Sequence, residues 1–330
     1  MDDTKLWLVI PCYNEEEILT SSAGKLKEAL SSLQEKGLAG KDSKILFVDD
    51  GSRDSTWTII ESLSGEDPVF SGIHLAHNRG QQAALMAGMM YAASFCDCLI
   101  TLDADLQDDI SVMEDFLKYY GNGCDIVYGV RKSREKDSHA KRSSAQMFYR
   151  CMKAMGTETI YNHADYRLMS RKALEALSEY KESNLYLRGI VPSIGLSSAV
   201  VYYDRQVRSN GKTKYSFWKM MKLAMDGITS FSVRPLHLIS VFGIISSILS
   251  SAGLLYALIS HLLKRTVPGW TAIVCSIWLL GGIQLLGIGV VGEYIGKVYS
   301  EVKHRPRWFI DKETGPETKT EREDSSTEEE

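Results

Sequence analysis

The chain has 330 residues, enough to bury a large core and to exceed one domain, and its 38 basic and 42 acidic side chains leave a formal charge of −4. That balance lacks the basic excess a nucleic-acid partner requires. The six cysteines (Cys12, Cys96, Cys98, Cys124, Cys151 and Cys275) form no CxxC pair and no metal spacing, which points to free thiols in a reducing compartment.

The N-terminal stretch MDDTKLWLVIPCYNEEE has a short apolar run that follows acids rather than bases, so no signal peptide is expected. Apolar, β-prone segments then recur at 6–11, 44–49, 70–75, 98–102 and 124–130. Helical patterns follow them at 15–36, 54–63, 80–94, 109–121 and 140–154. This alternation predicts an α/β domain around a mainly parallel sheet, whose ligands bind beyond the C-terminal strand ends. The polar loops PCYNEEE, VDDGSRDST, NRGQQAALMAG, DADLQDD and YGVRKSR all fall there. No GxGxxG or GxxxxGK[ST] is present, which removes a Rossmann dinucleotide site and a P-loop.

Within LITLDADLQDD, Asp108 and Asp109 suit the start of a helix. Asp103 and Asp105 do not. At strand spacing they point the same way and repel, and a hard divalent cation with oxygen ligands is the usual compensation. Further on, Asp165 and Arg167 lie in a short strand-like segment, where an ion pair between them is one reading.

Between Arg205 and Lys222 there are six bases and no acid, interleaved with Tyr215, Phe217, Trp218, Met220 and Met221, the pattern of an amphipathic helix in a headgroup layer. Residues 235–263 and 266–292 each lack Asp, Glu, Lys and Arg, and each is long enough to cross a bilayer. Lys297, Lys303, Arg305 and Arg307 follow the second span, against Lys264 and Arg265 between the two, so both termini are expected on the cytoplasmic side. The pair Gly292 and Gly296 is compatible with helix association into a homo-oligomer. The last 20 residues hold nine acids and three bases and read as a disordered tail. The expected organisation is therefore a catalytic domain over 1–204, a basic loop and interfacial helix over 205–234, a membrane hairpin over 235–292, a juxtamembrane segment over 293–310 and an acidic tail over 311–330.

In order and spacing, VIPCYNEEE, FVDDGSRDST, LDADLQDD and RSNGKTKY resemble the family-2 glycosyltransferases, and the two spans followed by GEYIGKVYSEVKHRPRWF look most like the bactoprenol (undecaprenyl phosphate) branch, relatives of dolichol-phosphate mannose synthase. The resemblance covers about residues 5–310. It implies a GT-A-type fold and inverting transfer of a hexose from a nucleotide sugar, UDP-glucose by kinship, to undecaprenyl phosphate at the bacterial plasma membrane. UDP-N-acetylglucosamine, UDP-galactose or a GDP-sugar are the alternative donors.

By the same resemblance Asp103 and Ala104 meet the nucleotide, and Asp105 and Gln107 ligate Mg²⁺ or Mn²⁺. Pro11, Tyr13, Glu15 and Asp50 form the nucleoside pocket, and Arg208 and Lys214 reach the donor phosphates. Arg131, Arg134 and Arg142 form the acceptor-phosphate segment, with Arg131 also near the donor. Asp165 is a catalytic base or an orienting group. A processive polysaccharide synthase shares these nucleotide motifs, but no QxxRW precedes the membrane part. A non-catalytic membrane scaffold would be expected to have lost Asp103, Asp105 or Gln107, and all three are present.

Overall fold

The computed structural model describes residues 3–132, 163–182, 187–204 and 269–315, together with scattered positions between 236 and 252. These fall into two compact units, one holding the sheet and residues 306–315, the other the helix that follows residue 269.

In the first unit the expected alternation is realised as β1 (Leu6–Cys12), α1 (Leu19–Glu35), β2 (Lys44–Asp49), α2 (Thr56–Glu66), β3 (Phe70–Leu75), α3 (Gln81–Ala92), β4 (Cys98–Thr101), α4 (Met113–Gly121) and β5 (Ile126–Arg131). Then come β6 (His163–Ser170), α5 (Arg171–Ser178), α6 (Leu187–Ser193) and β7 (Ser198–Tyr203), and the unit closes with β8 (Ile310–Thr314). The predicted helix at 140–154 lies outside the described residues.

Strands β1 to β4 are buried on both faces, which is why they read as near-continuous apolar runs. Leu8, Ile10, Ile45, Phe47 and Ile100 share one core with Leu19, Ala23, Leu26, Leu30 and Leu33 of α1. The small-residue helix α3 covers the other face so closely that a Cβ on Gly88 would meet Val48 Cγ2 at 2.5 Å and Val9 Cγ1 at 2.6 Å. Pro11 is tolerated in a central strand because β4 pairs with β1 only as far as Val9, whose carbonyl accepts from Leu102. The side of Pro11 that lacks an N–H faces the gap beyond β4.

The sheet order is β7-β5-β6-β4-β1-β2-β3-β8. Four of its seven pairings are parallel, β1 with β2 and β4, β2 with β3 and β5 with β7, so the sheet is mainly parallel as read, with two reversed strands. β6 runs antiparallel between β4 and β5, and β8 runs antiparallel on β3. The reversal of β6 matters for the site: its beginning, not its end, lies at the C-terminal edge of β4, with Thr101 opposite Arg167.

β8 corrects one expectation. The tail was expected to be disordered from residue 311, yet Ile310–Thr314 is a strand. Its attachment is specific: the Ala76 amide donates to the Phe309 carbonyl at 3.0 Å, the Ser64 and Thr314 hydroxyls are 2.5 Å apart, and Arg307 donates to the Tyr180 carbonyl at 2.5 Å. A charged sequence suits an edge strand, where side chains discourage further pairing. Residues 316–330 lie outside the described residues.

In the second unit, α7 (Trp270–Val302) takes in residues 270–292 of the second apolar stretch. Among the described residues no helix is long and apolar enough to cross a membrane. The first apolar stretch and the basic amphipathic segment lie outside the described residues, apart from the scattered positions.

Candidate active site

The C-terminal ends of β1, β2, β3, β4 and β5 and the start of β6 share one edge of the sheet. On the β1–β3 side, loops are stapled by side chains. Asn14 adopts a left-handed φ of 54°, its amide donates to Ser52 Oγ at 2.9 Å, and its Oδ1 accepts from the Arg53 amide at 2.9 Å. The Glu15 amide donates to Thr56 Oγ1 at 2.9 Å. Tyr13, next to these anchors, is 43 % exposed and presents its ring to solvent.

Asp49 is fully buried and holds both Ser52, through its hydroxyl and amide, and His74 Nδ1 at 2.7 Å. Gly51, at φ +66°, lets this turn pass under the next loop, where a Cβ would meet the Asn78 amide at 2.7 Å. The close approach delivers Asp50 to the amides of Arg79 and Gly80, at 2.7 and 2.8 Å. Burial raises the Asp50 carboxyl above its ordinary range, and these two amides pull it back. Asp50 therefore fixes the entry to α3 in addition to lining the edge.

The acidic stretch after β4 is a turn, not a continuing strand. The Leu106 amide donates to the Asp103 carbonyl at 3.1 Å, and Leu106 sits at φ 45°. The expected same-face pairing of Asp103 and Asp105 by strand alternation is thus replaced by a turn that gathers carboxylates. Ala104 is buried, its carbonyl accepting from Ser22 Oγ at 2.7 Å, so it anchors the turn to α1. Asp105 accepts from Gln107 Nε2 at 2.6 Å, which places the two expected metal ligands side by side. Asp103 accepts from Gln81 Nε2 at 2.7 Å.

Asp109 does cap a helical turn, accepting from the Ser111 amide at 3.0 Å. Asp108 does not, which corrects the sequence reading. It is buried and takes two nitrogens of Arg131, Nη2 at 3.0 Å and Nε at 3.2 Å. Arg131, the guanidinium expected at a substrate phosphate, thus sits at this edge paired with Asp108 and 23 % exposed. The buried Tyr203 hydroxyl adjoins this pair without a well-formed hydrogen bond.

Asp165 completes the edge from β6. Its backbone carbonyl accepts from Thr101 Oγ1 at 2.5 Å, and its carboxylate accepts from Arg167 Nη2 at 2.7 Å, Arg188 Nη2 at 3.1 Å and Gln82 Nε2 at 3.2 Å. The ion pair with Arg167 is present as read. Arg188 and Gln82 were not singled out in the sequence, and neither was Gln81. Nothing in the local pattern of LYLRGIV distinguishes Arg188 from a solvated helix residue; only the reversed β6 brings Asp165 to it.

Asp103 is the electrostatic focus. Burial, then the charges of Asp165, Asp108 and Asp105, push its carboxyl up to about 7, with Arg131 acting in the opposite sense. A divalent cation would relieve that repulsion, and a carboxylate beside an amide is a donor set that fits a hard cation completing its shell with phosphate and water. Among the described residues no group of three or more His, Cys, Asp or Glu side chains could hold a metal by itself. Arg134, Arg142, Arg208 and Lys214 lie outside the described residues. Cys12, Cys96 and Cys98 are buried free thiols, each raised above the ordinary thiol range mainly by burial.

Residues 7–178 match the family model "Glycosyl transferase family 2". The chain is 51 % identical over 306 residues to an uncharacterised glycosyltransferase of Bacillus subtilis (strain 168), YkoT, covering 93 % of this chain and 91 % of the relative. It is 37 % identical over 311 residues to the bactoprenol glucosyl transferase of Shigella phage SfV, covering 94 % and 99 %. Among solved structures, the mannosyltransferase PcManGT of Pyrobaculum calidifontis, in complex with GDP-Man and Mn²⁺, aligns over 89 % of this chain and 87 % of its own, with a TM-score of 0.45 and 14 % identity.

Proposed function

The chain belongs to glycosyl transferase family 2 and is a glycosyltransferase, and from that premise we propose that it moves a glucosyl residue from a nucleotide sugar, UDP-glucose, to undecaprenyl phosphate. The observation that carries the reading is the convergence of Asp103, Asp105, Asp108 and Asp165 on one sheet edge, in a chain that matches a bactoprenol glucosyl transferase over nearly its whole length. Such an edge suits a cation shared with a diphosphate.

Asp105 and Gln107 would hold Mg²⁺ or Mn²⁺, which when bound supplies positive charge against the leaving diphosphate. Tyr13 offers a ring to the base, while Glu15 and Asp50 supply carboxylates for the nucleoside. Asp103 and Ala104 would meet the nucleotide. Arg208 and Lys214 are suited by charge and sequence position to the donor phosphates, and Arg134 and Arg142 to the lipid phosphate. The acceptor phosphate loses its second proton near pH 6, so in the cytosol it attacks the anomeric carbon mostly as a dianion. It needs positioning more than deprotonation. Attack opposite the leaving diphosphate inverts the configuration and gives a β-linked lipid monophosphate sugar.

The acceptor sets the location. The basic aromatic segment after Arg205 would lie in the headgroup layer, and the apolar stretches 235–263 and 266–292 would cross the bilayer as a hairpin. Support comes from α7, where Ile273, Ile277, Leu285 and Ile288 are each 60 % or more exposed, an apolar surface that water does not favour. Both termini and the catalytic domain would face the cytoplasm of a bacterial cell.

The purified full chain in detergent, given radiolabelled UDP-glucose and undecaprenyl phosphate, should move label into the organic phase. Chelator should stop this and excess Mg²⁺ or Mn²⁺ restore it. Undiminished transfer in excess EDTA would refute the cation assignment, and no transfer with any of a panel of UDP- and GDP-sugars would refute the reaction.

A further inference from the structure

A left-handed backbone suits few side chains. Among the described residues three that are not glycine adopt one: Asn14 at φ 54°, Leu106 at 45° and His304 at 44°. Asparagine and histidine are enriched in this region, whereas a leucine there crowds its Cβ against the following carbonyl. Leu106 lies between Asp105 and Gln107, so the disfavoured conformation falls between the two residues assigned to the cation.

The turn around it is pinned at alternate residues. The Leu106 amide donates to the Asp103 carbonyl at 3.1 Å, and the buried Ala104 offers its carbonyl to Ser22 Oγ at 2.7 Å. Leu106 is half-buried and packs against the same core as Ala104, which includes Leu19, Ala23 and Leu26 of α1. Asp105 stands between these two anchors. Gln107 follows them, its amide donating to Asp105 Oδ1 at 3.3 Å and its Nε2 to Oδ2 at 2.6 Å. Relaxing Leu106 to an ordinary helical φ would rotate the backbone between the two residues by roughly 110° and part them. An unfavourable φ persists only where its surroundings over-determine it, and the apolar side chain supplies that constraint here.

We infer that Leu106 is a positioning residue for the cation: its apolar anchor holds a backbone conformation that leucine disfavours, and that conformation keeps Asp105 and Gln107 side by side. The inference rests on the cation reading given above. Side chain and backbone contribute separably. Leu106→Ala removes the anchor but keeps a Cβ, so the conformational penalty remains, roughly 5- to 30-fold against the competent turn. Apparent cation affinity falls with the fraction of chains that hold that turn. Leu106→Gly removes the penalty along with the anchor, because glycine takes positive and negative φ about equally. Alanine should therefore bind the cation worse than glycine, the reverse of a ranking set by side-chain size.

The test follows Mn²⁺ binding to the full chain in detergent by loss of the free-ion EPR signal, with UDP at a fixed concentration and protein-free blanks, alongside thermal unfolding. Leu106→Met keeps the anchor and should bind within about 2-fold of wild type. Leu106→Gly should lose about 2- to 4-fold, and Leu106→Ala roughly 5- to 30-fold. Both truncations shed apolar packing, so both should lower Tm without Mn²⁺, with Leu106→Ala melting no higher than Leu106→Gly. Affinity that is weaker in Leu106→Gly than in Leu106→Ala, or equal in wild type and all three variants, would overturn the positioning role. A wild type that fails to bind Mn²⁺, or an Asp105→Asn that binds it equally well, would overturn the cation reading itself.

Discussion

Asp103→Asn should make the metal-free protein more stable while disabling it. In the unfolded chain an Asp carboxyl titrates near 3.8, and in the folded edge Asp103 is pushed up to about 7 by burial and by the charges of Asp165, Asp108 and Asp105. The sign follows from proton linkage. Between these two values the folded state holds a proton that the unfolded state has lost, so stability falls as pH rises through this window. Below pH 3.8 the penalty is absent, and above pH 7 it is complete. At about 1.4 kcal/mol per pH unit it reaches about 4 kcal/mol, a ceiling because Asp103 is only half-buried and solvent screens its charge. An amide at this position carries no charge to repel, so the variant should escape the pH-dependent loss. In thermal unfolding with EDTA, the Tm advantage of Asp103→Asn over wild type should widen from pH 5 to pH 8, by about 2–4 °C for each kcal/mol. Mg²⁺ or Mn²⁺ should then raise the wild-type Tm at pH 8 and narrow the gap. A Tm difference that stays flat with pH, or a wild type indifferent to both cations, would refute the electrostatic account of the edge.

Other outcomes follow from the same geometry. Asp108→Ala leaves the Arg131 guanidinium without its buried partner and should cost about 3–5 kcal/mol of stability, read as a lowered unfolding midpoint; a loss under about 1 kcal/mol would contradict the internal role given to this pair. Asp165→Asn should lower turnover by a factor that is nearly the same from pH 6 to pH 8.5 under saturating substrates, because lost positioning is not restored by deprotonating the acceptor; strong recovery at high pH would reinstate Asp165 as the base. Truncation after Trp308 removes β8 and bares the edge of β3, and should lower Tm and promote aggregation, monitored by light scattering. A cysteine at Thr266 should react with an impermeant thiol reagent added outside intact cells and one at Ser325 should not, the reverse pattern contradicting the two-span topology.

The first five strands were legible because each is a compact apolar run, and their polar loops marked the functional edge. Orientation was not. Nothing in HADYRLMS distinguishes an antiparallel strand from a parallel one, since register and direction depend on what β4 and β5 leave free on their facing edges. That one reversal accounts for most of the site that local pattern missed: it carries Asp165 to Asp103 and hands Arg188 a partner 23 residues away in sequence. β8 escaped for a different reason, since IDKET has the composition of a solvated tail and becomes a strand only because β3 offers an open edge. Asp108 and Asp109 show the limit of reading caps from residue type. Both can cap a helical turn, but only Asp109 does, while a half-buried Arg131 takes the other.

The central claim is tested most directly by mass spectrometry of the lipid recovered after the purified full chain has been incubated with undecaprenyl phosphate, UDP-glucose and Mg²⁺. The account predicts undecaprenyl phosphate heavier by one hexosyl residue, formed by the wild type and reduced by orders of magnitude in Asp105→Asn. Recovery of unmodified lipid alone, or equal product from Asp105→Asn, would contradict it.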